Sequence, residues 1–293
     1  MARRSGRRGL QPTDITVISV TYNSGHVLPG MLASVPTETP VVLVDNASRD
    51  GAPIPPPGRD VRVIRSETNH GFGWACNAGA AIAQTPYLLF LNPDARLTPD
   101  CLSLLLTAAA TYPAASAFNP RIQDHTGQMF FRRATRLRGN KGRIRTTPVQ
   151  DMAVPVLSGA ALFVSKAHFD AVGGFDERIF LYAEDDDLSV RLQQQIGPLM
   201  LIYDAVVVHE PGTSTQPSPA VTAFKQHNLA RATVYTMHKH GRRLAFQQCL
   251  LQALRRFLKP QTYKSAAASA AARAYLHGIW SARKDRGRYC PDR

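Results

Sequence analysis

The chain has 293 residues, 44% hydrophobic and 19% charged, enough for one large domain or a domain with an appendage around a real core. Its four cysteines (Cys76, Cys101, Cys249, Cys290) are far apart and form no CxxC pair, which argues against a disulfide framework or zinc site and fits a reducing cytosol. No apolar run approaches the roughly 20 residues of a membrane span, and the basic N-terminus has no apolar segment behind it, so it does not read as a secretory signal. The net charge of +14 gathers at the ends: residues 241–293 hold 12 Lys+Arg against 2 Asp+Glu, and MARRSGRRG adds four arginines.

Residues 1–13 read as a disordered basic arm. ITVISV (15–20) predicts a buried strand, TYNSG (21–25) a turn at its end, and 26–34 a short helix. VVLV (41–44) predicts a second strand, followed by DNASRDG; 61–64 gives a third, and YLLFL (87–91) a fourth, ended by NPDA. Helices are expected at 71–84 and 98–111, the latter with Pro99 in its first turn. Strands alternating with helices predict an α/β fold with a Rossmann-like, mostly parallel sheet, and such sheets bind ligands outside the carboxyl ends of their strands. Three strand ends carry polar clusters, so one site built from three loops is expected.

After residue 115 the alternation loosens. The basic run FFRRATRLRGNKGRIR (130–145) reads as a mobile loop over the site. Residues 154–164 are apolar and lead to a helix start at Ser165; 199–208 predict a strand that delivers His209 to its end. Between them lies FDERIFLYAEDDDLSVRL (175–192), where Glu184, Asp185, Asp186 and Asp187 open a helix whose apolar face holds Leu188 and Leu192. Acidic residues in a first turn serve as a cap through the helix dipole. Four adjacent negative charges exceed what a cap needs, however, and aromatics (Phe175, Phe180, Tyr182) and a Gly173-Gly174 turn surround them. A carboxylate here suits a general base.

Other clusters have two readings each. Asp45, Asn46, Ser48 and Asp50 form either a turn or a carboxylate site for a base imide or ribose hydroxyl. Residues 69–77 (NHGFGWACN) contain GxG, but Cys76 stands where a dinucleotide fingerprint needs its third glycine, so close approach of backbone to a ligand is the better reading. Asp94 and His209, each just past an apolar strand, form a candidate pair for Mg²⁺ or Mn²⁺.

VTYNS, VDNASRDG, NHGFGWACNAG, FLNPDA, LSGAALFV, GGFDERIFLYAEDDDLSVRL and VVHEPGTS follow one another in an order that resembles the family 2 inverting glycosyltransferases, within them the bacterial rhamnosyltransferase-like branch. The resemblance covers roughly 14–215 and implies a GT-A catalytic domain, with a nucleotide-sugar half at 14–115 and an acceptor half at 116–215, a dTDP- or UDP-linked sugar donor, a divalent metal and single displacement with inversion. By the resemblance, Thr21, Tyr22 and Asn23 line the nucleotide pocket, Asp45 binds the base with Asn46 beside it, and Asn69, Gly71, Phe72, Gly73 and Asn77 shape the wall near the ribose and diphosphate. Asp94 matches the metal aspartate, in NPD rather than DxD, with Asn92 on the donor side; His209 lies near diphosphate and metal. Asp185 matches the catalytic base and Glu184 its orienting neighbour, Asp187 matches a further acidic position, and Asp186 stands where the family is often apolar. Pro211 replaces an expected glycine-rich stretch.

Residues 216–293 form a basic helical extension, broken near Gly241 and Pro260. Within it, 245–259 reads as an amphipathic basic helix, with Phe246, Leu250, Leu254, Phe257 and Leu258 opposite Arg255, Arg256 and Lys259. Such a helix either packs on the catalytic domain or lies on an anionic membrane. No nucleic-acid motif is present. The sequence therefore predicts a cytoplasmic glycosyltransferase, peripheral on the plasma membrane, that extends a lipid-linked or cell-envelope glycan with a deoxyhexose such as rhamnose. A nucleotide-sugar-binding protein without turnover and a nucleotidyltransferase are the rivals; the first strand lacks a triphosphate-binding glycine signature.

Overall fold

The computed structural model describes residues 9–137, 143–210, 212 and 218–289. Most of the basic N-terminal arm, Pro211 and Cys290 therefore lie outside the described residues. The first half follows the predicted alternation: β1 (Ile15–Thr21), α1 (Leu28–Ser34), β2 (Val41–Asn46), β3 (Val61–Ser66), α2 (Phe72–Ile82), β4 (Tyr87–Leu91), β5 (Ala95–Leu97) and α3 (Cys101–Thr111). β6 (Ala117–Gln123), β7 (Met152–Val154), β8 (Ala161–Ser165), α4 (Lys166–Ala171), α5 (Glu184–Gln195) and β9 (Leu199–His209) complete the sheet. Three helices follow: α6 (Pro219–Lys239), α7 (Ala245–Phe257) and α8 (Ala266–Asp285).

One sheet runs in the order β3-β2-β1-β4-β8-β6-β9-β5, with β7 also pairing β9. The strands β3-β2-β1-β4 are parallel, as expected. Beyond them the sheet is mixed: β8 is antiparallel to both β4 and β6. A parallel neighbour needs a long crossover, usually a helix, and the described residues between β6 and β8 contain no helix. The apolar stretch 154–164 is accordingly not one element; its ends belong to β7 and β8. β6 escaped the periodicity reading because Pro120 interrupts it, and the structure accommodates that proline at a register shift between Pro120 and Arg121.

Alternation along β1 divides the core. Ile15 and Val17 face a cluster with Met31, Leu102 and Leu105 from α1 and α3. Ile18 faces the other side, with Ala75 and Cys76 of α2 and Leu188 and Leu192 of α5. A third cluster joins α6, α7 and α8 to Val190 of α5 and to Leu137. The acidic helix thus has its back in the sheet core and its flank on the C-terminal helices.

α7 follows the predicted packing in part: Phe246 and Leu250 lie against the C-terminal helical cluster and Phe257 is half-buried. Its buried residues are Ala245, Cys249 and Ala253, while Leu251, Leu254 and Leu258 are exposed, Leu258 at 80%.

Candidate active site

The strand-end loops converge as expected. Asn23 N–H donates to Ser48 Oγ at 2.9 Å and Arg49 N–H donates to Asn23 Oδ1 at 2.8 Å, so the loops after β1 and β2 are bonded to each other. Asn23 has a φ of 53°, a left-handed conformation that asparagine tolerates better than most residues. Thr21 is buried and Tyr22 half-buried beside it. Asp45 is fully buried. Its Oδ1 accepts from Ser48 N–H at 3.2 Å, so the turn reading holds for that oxygen. Its Oδ2 has no hydrogen-bond partner and faces only the Arg65 guanidinium, 3.7 Å away.

Asn46 and Asn77 hold loops in place. Asn46 Nδ2 donates to Asn69 Oδ1 (2.9 Å) and to the Gly71 carbonyl (3.0 Å), and Asn46 Oδ1 accepts from His70 N–H (3.1 Å). Asn77 bonds both ways with the Phe175 backbone and donates to Glu177. Gly71 has a φ of 93°, and a Cβ there would collide with the Phe180 carbonyl, which accepts from Phe72 N–H at 3.0 Å. Gly73 packs against the Phe175 side chain. The loop that opens α2 is thus fastened to the segment leading into α5.

Asp94 and His209 meet, as the sequence predicted. Ala95 pairs with His209 across β5 and β9, which brings Asp94 Oδ1 to 3.1 Å from His209 Nε2, with Asn92 Nδ2 3.5 Å from the same nitrogen. The Asp94 side chain is 2% exposed. Among the described residues no three His, Cys, Asp or Glu side chains gather as a metal site. A carboxylate oxygen and an imidazole nitrogen nonetheless suit a hard divalent ion that draws its remaining ligands from substrate phosphate and water, as Mg²⁺ usually does.

The four acidic residues of α5 have four different environments. Tyr182 and Ala183, with φ of 70° and 65°, turn the chain into the helix through a conformation disfavoured for non-glycine residues. Asp185 Oδ2 accepts from Gly159 N–H (3.1 Å) and from Arg132 (3.0 Å), and its Oδ1 accepts from Asp186 N–H. Asp186 is bonded by Arg132 and Thr135, and burial, then the Asp185 charge, pushes its carboxyl up. Glu184 is buried with Oε2 unpartnered; burial, then the neighbouring Asp185, pushes it up to about 8. Asp187 is fully buried among Arg191 (2.8 Å), Lys239 (2.7 Å) and His240 (2.8 Å). Burial works to raise its carboxyl, and the His240 hydrogen bond with the Arg191 and Lys239 charges outweighs it, leaving Asp187 below the usual carboxylate range.

Four participants escaped the sequence reading. Arg132 was one basic residue in a run of them; the residues around it were expected to be mobile, yet it is paired with two α5 carboxylates. Gly159 donates to Asp185 while the next carbonyl, that of Ala160, accepts from Asn92 N–H at 2.9 Å. Asp185 and the Asn92–Asp94–His209 cluster therefore meet at adjacent residues of one segment. Lys239 and His240 close α6 onto Asp187, far away in sequence.

A GT-A-like sheet with polar strand ends, a carboxylate–imidazole pair and a carboxylate helix beside them defines a glycosyltransferase. Residues 16–173 match the family described as Glycosyl transferase family 2, and the chain belongs to that family. It is 33% identical over 245 residues to the N-acetylglucosaminyl-diphospho-decaprenol L-rhamnosyltransferase of Mycobacterium tuberculosis, covering 71% of this chain and 80% of that one. The mannosyltransferase of Pyrobaculum calidifontis, in complex with GDP-Man and Mn²⁺, is 18% identical and superposes with a TM-score of 0.54 over 93% of this chain and 75% of that one. GalNAc-T7 with UDP, GalNAc and Mn²⁺ is 16% identical with a TM-score of 0.57; this chain is covered to 92% but spans just over half, 56%, of that one. At these identities the structures bear on the fold alone.

Proposed function

We propose that the chain is an inverting, metal-dependent glycosyltransferase. It moves a deoxyhexose such as rhamnose from a dTDP- or UDP-linked donor to a hydroxyl of a lipid-linked glycan of the cell envelope. The observation that carries this reading is the segment 158–160, which bonds Asp185 at one residue and the Asn92–Asp94–His209 cluster at the next. The rhamnosyltransferase relative supports the sugar and the lipid-linked acceptor.

In this reading residues 14–115 hold the donor and 116–215 present the base and the acceptor. The loops of Thr21–Asn23, Asp45 and Gly71–Gly73 receive the nucleotide, and the unpartnered Asp45 Oδ2 is the acceptor atom for a base imide. Asp94 and His209 would hold the divalent ion, which supplies charge neutralisation to the departing diphosphate. Asp185 takes the acceptor hydroxyl proton as that oxygen bonds the anomeric carbon; the bond from that carbon to the diphosphate oxygen breaks, and its electron pair leaves with the nucleoside diphosphate. With Asp185 acting as base and the acceptor oxygen as the nucleophile, there is one displacement, hence inversion. Arg132 and Gly159 N–H fix the rotamer of Asp185. No described helix is long and apolar enough to cross a membrane; the exposed Leu251, Leu254 and Leu258 of α7, beside Arg255 and Lys259, suit peripheral attachment to an anionic bilayer.

The test is release of nucleoside diphosphate from UDP-, dTDP- and GDP-sugars with Mg²⁺, Mn²⁺ or EDTA, for the wild type and for Asp185→Asn. Metal-dependent release from one donor is expected. With acceptor present, the variant loses about 10²–10⁴-fold in turnover while nucleotide binding persists, the range for a general base. Full turnover by the variant removes Asp185 from the role. No release from any donor, with no thermal shift by any nucleoside diphosphate, removes the function.

A further inference from the structure

A cavity of about 760 Å³ is lined by the first turn of α5 together with residues of the C-terminal helices. Its floor is Glu184, Asp185 and Asp186; none of the residues assigned above to the nucleotide lines it. Leu137, Leu229 and Met237 make part of its wall apolar, and Arg136, Arg255, Arg256 and Lys259 stand around it. Gln252, Arg255, Arg256 and Lys259 recur at helical spacing, so one stripe of α7 lines the cavity. An adjacent stripe is the exposed Leu251, Leu254 and Leu258, and a third, Cys249 and Ala253, is buried.

The four cations have no partner of opposite charge. Arg136 and Arg256 reach only the amides of Gln252 and Gln226, and Arg256 also stacks on Tyr275. Among the described residues no carboxylate forms a salt bridge with any of the four, and they are gathered at one cavity. Four unpaired cations beside one cavity fit a multiply charged anion, and guanidinium groups bind phosphate oxygens with strong charge-assisted hydrogen bonds.

We propose that this cavity is the acceptor site and that Arg136, Arg255, Arg256 and Lys259 bind the diphosphate of a prenyl-diphosphate-linked sugar, whose hydroxyl then lies at Asp185 and whose prenyl chain leaves along the leucine stripe of α7. The assignment rests on the glycosyltransferase reading for its substrate. The chemistry gathered at the cavity and on the adjacent stripe of α7 matches such a molecule: carboxylates for the sugar hydroxyl, cations for the diphosphate, exposed leucines for the hydrocarbon. A diphosphate also occurs in the nucleotide donor, so the test separates the two.

Geranyl diphosphate is titrated by calorimetry against protein saturated with the nucleoside diphosphate of its preferred donor. Binding is expected to persist in the wild type and to weaken by about tenfold or more in Arg255→Glu/Lys259→Glu, the scale of one or two lost charge-assisted bonds. Arg255→Lys should retain most of it. In turnover, the double variant raises KM for a short-chain prenyl-diphosphate sugar and leaves KM for the matching alkyl glycoside unchanged. Loss of geranyl diphosphate binding on nucleotide saturation would place that diphosphate in the donor site and overturn the proposal; so would equal affinity in wild type and double variant. If no donor is ever turned over but geranyl diphosphate binds in a manner sensitive to Arg255 and Lys259, the glycosyltransferase reading falls and the anion site stands. Donor turnover without such binding sinks this assignment alone.

Discussion

Replacing Asp187 by Asn tests whether the acidic helix is pinned by the C-terminal helices. Removing one partner of a buried charge cluster costs about 3–5 kcal/mol, because the remaining charges lose their compensation. Here the three cations differ in what they keep. Lys239 retains Asp176 at 2.7 Å. Arg191 cannot lose its proton, and it keeps only the Val172 carbonyl at 2.7 Å. One uncompensated guanidinium places the loss at the low end, about 3 kcal/mol, or roughly 6–10 °C in melting temperature for a chain of this size.

The Asp187 carboxyl is held below its ordinary 3.8. The unfolded chain therefore binds more protons than the folded one through this window, and the stabilisation is complete above about pH 4 and fades as pH falls through the lowered native value. Melting of wild type and Asp187→Asn by circular dichroism from pH 7 down to 3 should show the gap closing with acid. A gap under about 1 kcal/mol at pH 7, below the range for breaking a buried pair, or one that does not narrow with acid, would refute the clamp.

Glu184 titrates the other way. Its carboxyl is raised from 4.5 to about 8, so the folded state holds the extra proton and wild-type stability falls as pH rises from about 4.5 to 8; Glu184→Gln should flatten that slope in melting curves. Gly71→Ala forces a side chain into a left-handed backbone position against the Phe180 carbonyl, so a loss of roughly 2 kcal/mol or more is expected in urea unfolding, with weakened nucleotide binding. Leu254→Ser/Leu258→Ser removes exposed apolar surface and should cut co-sedimentation with anionic phospholipid vesicles about tenfold without lowering the melting temperature; unchanged binding would remove α7 from the membrane role.

How far the sequence could be read follows from the range of the interactions. β1, β2 and β4 were legible because each is an apolar run followed by polar residues, a purely local pattern, and the Asp94–His209 pair because each lies just past such a run. β5 and β7, three residues each, are too short to carry a period. The mixed pairing of β8 goes with the lack of a helix among the described residues between β6 and β8. The differences among Glu184, Asp185, Asp186 and Asp187 are set by Arg132, Thr135, Lys239 and His240, brought in from more than 45 positions away. Four adjacent acids look alike on paper because most of what separates them is tertiary.

The Lys239 ammonium lies 2.7 Å from Asp187 and 2.7 Å from Asp176, and this limits how the chain can be recombined. A chimera joined just after β9 would bring foreign helices against the acidic helix without the two basic residues at the end of α6, leaving Asp187 buried beside Arg191 alone. Grafting another family member's C-terminal helices to change acceptor preference therefore requires a lysine–histidine pair in register with Asp187, or a neutral residue at 187 matched by the loss of Arg191. Under the acceptor assignment proposed above, the C-terminal helices are exchangeable only together with that electrostatic joint.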